Sequence, residues 1–426
     1  MNSIQKIASL IFVVTLLGMV YSLFTPLFKI YDSVEYSSLA NNLVNNSIYY
    51  AGDIGNDLDF RLFSKRTLGY PLFMAMQQSQ LFLITAQVLL YFFSIMLGLV
   101  LLSHFTTSKK LFFLFLIFVV FSPVLLFHSQ FILSDLLLTS LIMLGLVVYF
   151  EERISLQTKL KIIGILWAVA LLVKPVMLPS LLLIPFVAGY LIVRKKTWQP
   201  AILLPVLVWI SVSMFNQNQT SMFEYSCIST INLAHYNAKL AIASKYGNDS
   251  AQQFTSSPIF KTPRNTTEYN NYLQNLNQLA TESIKQNIGA YLKIQVLGMI
   301  KMVLDPGRWE LYTFFNQNTA DKSLTELLFS GQLLELKNQL GKTPMLLITF
   351  LILLIINLFK AVGIVFSIFK PPVKWWLLVG LCVYFLALTG PIGAARFMLP
   401  VTIITIIMSV IGWGVILNFL QKSPEC

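Results

Sequence analysis

LFLITAQVLLYFFSIMLGLVLL, residues 81–102, carries no charged side chain. As a helix it is long enough to cross the roughly 30 Å hydrocarbon core of a bilayer, and its apolar character runs right round the cylinder. Comparable runs lie near 7–28, 111–127, 133–150, 162–173, 176–193, 201–215, 345–369, 375–388 and 397–420. The expected fold is therefore all-α: a polytopic membrane helix bundle of about ten transmembrane helices with two outer-face loops. Composition agrees, since the 426 residues are 56% hydrophobic and 11% charged, whereas soluble domains carry about 25% charged residues. A single soluble core is excluded.

The net charge of +12 invites a nucleic-acid reading, but the cations are spread over many loops, and no nucleic-acid partner is expected. Membrane orientation explains them. Lys6, Lys109, Lys110, Arg153, Lys159, Lys161, Arg194, Lys195, Lys196, Lys360, Lys370, Lys374 and Lys422 fall on one side. Lys29, Arg61, Lys65, Arg66, Lys174 and Arg396 sit in short loops of the other. The positive-inside bias then makes the first side cytoplasmic, with both termini there. The run at 7–28 also resembles a signal peptide, but no small-residue cleavage site follows it and it is retained as the first span. The stretch 288–304 carries Lys293 and Lys301 and reads as an interfacial amphipathic helix.

Three parts follow: an N-terminal transmembrane module, 1–215, with a first outer loop at 29–80; an outer-face α-helical region, 216–343; and a C-terminal transmembrane module, 344–426. The middle region is rich in Asn, Gln, Ser and Thr, with helical patterning around 267–304. No internal repeat is visible, which weakens an inverted-repeat transporter reading.

Several chemistries have no support. Gly-x-Gly-x-x-Gly, Walker A, His-Glu-x-x-His and Cys-x-x-Cys are all missing. Three scattered cysteines, Cys227, Cys382 and Cys426, offer neither a disulfide framework nor a thiolate metal site, and Cys426 as the last residue is no prenylation box. With only His104, His128 and His235 and no nucleophile elbow, acyl transfer is disfavoured.

Of the 18 carboxylates, all but Glu151, Glu152 and Glu425 are expected on the outer side, so any chemistry belongs there. Asp32, Glu35, Tyr36 and Leu39 share one helical face directly after the first span. Two readings stand: a capping box built from Asp32 and Glu35, with no function, or a pair of working carboxylates at the membrane surface. Asp53 and Asp57 read as solvated turn residues. Asp135 either caps the fourth helix with Ser134 or faces a polar cavity. His128 reads as a hydrogen-bonded interface residue. A cation at membrane depth needs an anion or a path to the interface. On the residues alone Lys174 is read as an interfacial anchor, and Arg396, in the Gly390–Pro400 turn, as an anion binder. Trp309, Tyr312, Phe314 and Phe315 read as an aromatic belt.

At these positions the sequence resembles the membrane-embedded GT-C glycosyltransferases, which include protein mannosyltransferases and lipid A aminoarabinose transferases. The matching residues are Asp32-x-x-x-Tyr36-x-x-Leu39-Ala40, Arg66-x-x-Gly69-Tyr70-Pro71, Leu133-Ser134-Asp135, Lys174-Pro175 and Arg396-Phe397-Met398-Leu399-Pro400. The resemblance covers the bundle and first loop and leaves 216–343 aside. Two departures stand out: Ser33 where many members have a second acidic residue, and Leu68 where they have proline. They leave the acceptor class open.

The resemblance implies a GT-C-like fold and transfer of a sugar from a polyprenyl-phosphate-linked donor to a lipid, glycan or protein acceptor on the outer face, with inversion. It implies catalytic roles for Asp32, Glu35 and Asp135, with Asp32 as base, and substrate binding by Tyr36, Arg66, Tyr70, Lys174 and Arg396. No feature of the chain shows that a metal is needed, and a divalent cation oriented by Glu35 or Asp135 stays open. The compartment expected is a bacterial inner membrane; in a eukaryote it would be the endoplasmic reticulum, with Asn45, Asn218, Asn248 and Asn265 heading glycosylation sequons. Two rival readings are a polysaccharide polymerase, for which Asp32 would be dispensable, and a lipid-linked-sugar flippase, for which a polar path should continue to the cytoplasmic side.

Overall fold

A computed structural model of the chain describes residues 27–77, 79–314, 344–369 and 374–421, with isolated positions before 27. The expected span at 7–28 lies almost wholly outside the described residues, as do Phe315 and the rest of 315–343. Within them, one isolated bridge between Phe28 and Phe131 is the sole extended pairing, and the architecture is helical throughout.

Helix α1, Tyr31–Asn46, opens the first outer loop. A short 3-10 turn, Phe60–Phe63, and helix α2, Gly69–Ala75, close it. The bundle follows with α3, Gln80–Ser103; α4, Lys109–Val120; α5, Pro123–Phe127; α6, Asp135–Phe150; α7, Leu156–Val173; α8, Ile184–Lys195; and α9, Leu204–Thr220. Seven segments among the described residues are long and apolar enough to span: Gln80–Ser103, Leu156–Val173, Pro175–Lys195, Pro200–Thr220, Ile348–Ser367, Trp375–Ile392 and Ala395–Phe419. The chain is a polytopic helical membrane protein.

Two expected spans are shorter than the apolar runs that encode them. The run at 111–127 is broken between α4 and α5, because Pro123 has no N–H to continue the ladder. The run at 133–150 becomes helical only from Asp135, after a fully buried turn at 128–134. Lys360, grouped above with the cytoplasmic loop cations, instead lies inside a span. Its ammonium donates to Ser122 Oγ at 2.7 Å, beside the carbonyl end of α4, where a cation complements the helix dipole.

The outer region runs through α10, Ile228–Asn232, a π turn, α11, Lys239–Tyr246, and α12, Asn248–Thr255, into α13, Thr266–Gln286. It encloses its own small core of Cys227, Ile231, Ala234, Tyr269, Leu273 and Leu276. The described part of this region is helical. At Asn287 the chain bends by 92° into α14, Ile288–Leu304. Helix α15, Arg308–Phe314, then lies beside α5.

Helices α16, Pro344–Ser367, α17, Trp375–Thr389, and α18, Leu399–Gln421, complete the bundle. The most buried span ends in α18. Ile404 and Ile407 on that helix are inaccessible and pack with Leu101, Phe115, Leu138 and Met143. Gln80–Ser103 is half buried, and the other five spans turn most of their residues outward, as lipid-facing helices do.

Candidate active site at the outer end of the bundle

Local chemistry frees the first-loop carboxylates for longer-range work. Ile30 is extended and precedes α1, and the Ser33 hydroxyl accepts from the Ile30 amide at 3.1 Å. Ser33 thus supplies the side-chain contact at the helix start, and the capping-box reading of Asp32 and Glu35 is corrected. Their face of α1 turns inward, with Glu35, Tyr36 and Leu39 all buried.

The return limb of the loop brings two cations to that face. Asp59 caps the 3-10 turn through the Arg61 amide and also pairs with the Arg61 guanidinium. Lys65 and Arg66 then precede α2. Gly69 makes this approach possible: a Cβ there would stand 2.7 Å from the Leu172 carbonyl carbon at the end of α7. At that end Pro175 disfavours helical backbone for the residue before it. Lys174 is accordingly extended and leaves the helix axis. Arg396 arrives on a 3-10 turn, Ala395–Met398, shortly after Gly393 reverses the chain at φ 63°. That conformation suits glycine.

The result is an unbroken alternation of seven charges. Lys65 Nζ meets Glu35 Oε1 at 2.5 Å, and Arg66 Nε meets Glu35 Oε2 at 2.5 Å. Arg66 also holds Asp32 Oδ1 at 2.5 Å, while Arg396 holds Asp32 Oδ2 at 2.7 Å. Arg396 Nε reaches Asp135 Oδ2 at 3.4 Å, and Lys174 Nζ ends the row on Asp135 Oδ1 at 2.5 Å. Four cations therefore face three carboxylates, which leaves the row one positive charge in excess. Burial opposes ionisation of Asp32, but the Arg66 and Arg396 guanidiniums outweigh it and hold the carboxyl well below the usual range.

Most of the residues singled out from the sequence meet here. Asp135 makes no capping bond; it is inaccessible and sits between Lys174 and Arg396. Lys174, read from the residues as an interfacial anchor, points into the row instead. Tyr36 pairs its hydroxyl with Ser134 Oγ at 3.1 Å, and its ring lies 5.0 Å beneath the Arg66 guanidinium. Tyr70 stands one layer back. Its ring meets Tyr36 edge-on at 5.0 Å, and its hydroxyl donates to Gln87 at 2.7 Å. Asp53 keeps to its turn by accepting from the Gly55 amide, as expected.

Three further carboxylates support the site, and the sequence reading assigned them no role. Glu310 is buried, with Oε1 3.4 Å from His128 Nε2, which makes His128 the interface residue expected. Asp305 braces the Arg396 turn by accepting from the Ala395 amide at 3.3 Å. Glu224, in the outer region, accepts from Ser64 Oγ at 2.7 Å and from the Tyr269 hydroxyl. Ser226 Oγ donates to the Lys65 carbonyl at 3.0 Å. The outer region thereby grips the segment that delivers Lys65 and Arg66. Adjacency to Arg66 was the signal for Lys65; for Glu224 and Glu310 no local signal existed. Trp309, assigned to an aromatic belt, lies 5.5 Å from Phe131, centroid to centroid.

A divalent cation finds no donor set here. Among the described residues no group of three or more His, Cys, Asp or Glu side chains is placed to hold a metal, and each site carboxylate is engaged by lysine or arginine.

No family model and no curated protein sequence matches the chain. Among solved structures, ArnT from Cupriavidus metallidurans in the apo state is similar over 99% of this chain and 81% of that one, with 11% identity and a TM-score of 0.40.

Proposed function

We propose that the protein is an integral membrane glycosyltransferase of the GT-C type, acting on the outer face of a bacterial inner membrane with both termini cytoplasmic. It moves a sugar from a polyprenyl-phosphate donor to an acceptor hydroxyl. The supporting observation is the charge row, whose excess cation at the end of an apolar bundle suits an anionic lipid headgroup.

The chemistry follows from what each group can do. The acceptor oxygen attacks the anomeric carbon as its proton passes to a carboxylate, for which Asp32, the most exposed of the three, is the base. The bond between that carbon and the phosphate oxygen breaks with its electron pair moving to the oxygen. The polyprenyl phosphate so formed carries one more negative charge, and Arg66, Arg396 and Lys174 are the cations that stabilise it. Attack opposite the leaving group inverts the anomeric centre, as in single-displacement glycosidases.

Native mass spectrometry of the detergent-purified protein tests the donor class. Wild type should carry a polyprenyl phosphate or its sugar conjugate, and Arg396→Ala should be depleted of it. Ordinary phospholipids alone on both would overturn the reading.

A further inference from the structure

We infer that Asp32 and the donor's phosphate compete for the same two guanidiniums, so that Asp32 fills the phosphate seat until the donor displaces it. This rests on the donor class proposed above. Both Asp32 oxygens are taken, Oδ1 by Arg66 at 2.5 Å and Oδ2 by Arg396 at 2.7 Å. A carboxylate bridging two guanidiniums offers them the same pair of anionic oxygens that a phosphate would, in the geometry arginine recognises.

The three carboxylates are not equivalent in this respect. Glu35 and Asp135 each have a lysine on one oxygen, Lys65 and Lys174, and their side chains are 5% and 0% exposed. Asp32 has arginine alone as its partner and is 24% exposed. It is the member of the row that can swing out by side-chain rotation. Its departure would not release the guanidiniums, because Arg66 keeps Glu35 and Arg396 keeps Asp135. The seat is thus held open from both sides while its occupant is the most exposed carboxylate of the row.

The donor is a phosphodiester and brings one negative charge in place of the single carboxylate charge, so the exchange keeps the charge of the seat, and the monoester left after transfer, which farnesyl phosphate mimics, carries one more. Released from its two cations, the Asp32 carboxylate loses the interactions that depress its basicity. Donor binding and activation of the base become one event.

The test is affinity, with a sign that a structural role would not produce. Farnesyl phosphate and, separately, inorganic phosphate are titrated against the full-length protein in detergent, comparing wild type, Asp32→Asn, Asp32→Ala and Glu35→Gln. Both Asp32 variants should bind farnesyl phosphate about tenfold or more tightly, the scale of one charge-assisted contact, and should support no transfer. Glu35→Gln removes the same charge from the row and should not tighten binding. Equal or weaker binding by the Asp32 variants overturns the inference, as does equal tightening by Glu35→Gln. Tightening towards inorganic phosphate but not farnesyl phosphate would uphold the competition and overturn the polyprenyl donor. Binding of neither probe to any form overturns both.

Discussion

The Lys174 ammonium shows how strongly a single partner matters at membrane depth. It contacts an Asp135 carboxylate that has no exposed surface, and the remaining contact to that carboxylate, from Arg396, is 3.4 Å long. Removing one member of a buried pair leaves an uncompensated charge, whereas replacing both with apolar groups can be nearly neutral. Lys174→Met should therefore destabilise the protein by about 3 kcal/mol, read as a lower melting temperature in detergent. Lys174→Met combined with Asp135→Leu should recover most of that loss. A single variant as stable as wild type would mean that Arg396 alone satisfies Asp135.

Between elements, the outer region and the first loop meet at Glu224. Burial pushes its carboxyl up, and the hydroxyls of Tyr269 and Ser64 offset that only in part. A carboxyl whose folded value is raised contributes stability that is complete below its ordinary value and is lost as pH rises through the folded value. The melting temperature of wild type should thus decline as pH rises above about 4.5, and Glu224→Gln should flatten that decline. Glu224→Ala removes the acceptor that the Ser64 and Tyr269 hydroxyls share; the two stand 2.6 Å apart, so one can still donate to the other while the second loses its acceptor, at a cost of about 1–3 kcal/mol. Because this contact grips the segment ahead of Lys65 and Arg66, the alanine variant should also weaken farnesyl phosphate binding.

Across the whole molecule, the proposed division into an N-terminal module, an outer region and a C-terminal module rests on the positive-inside bias of the loops. In intact cells an impermeant maleimide should label Asp57→Cys in the first loop and not Lys196→Cys beyond α8. Cys426→Ser supplies the background, since Cys227 and Cys382 are buried. The opposite labelling would reverse the orientation and place the charge row on the cytoplasmic side.

The apolar runs by themselves determined the class of protein, because spanning a bilayer is a property of about twenty consecutive residues and needs no knowledge of neighbours. In a chain with 11% charged residues, a charge at the end of such a run is conspicuous, and Asp32, Arg66, Lys174 and Arg396 were legible for that reason. Their pairing was not. Asp32 finds Arg396 across 364 positions, and local pattern carries no information about a contact so distant. The capping box was a sound local reading that Ser33 displaced, and Glu224 and Glu310 gave no local sign at all. Tertiary structure alone decided that three carboxylates and four cations would alternate in one row, because that order depends on which helix ends meet.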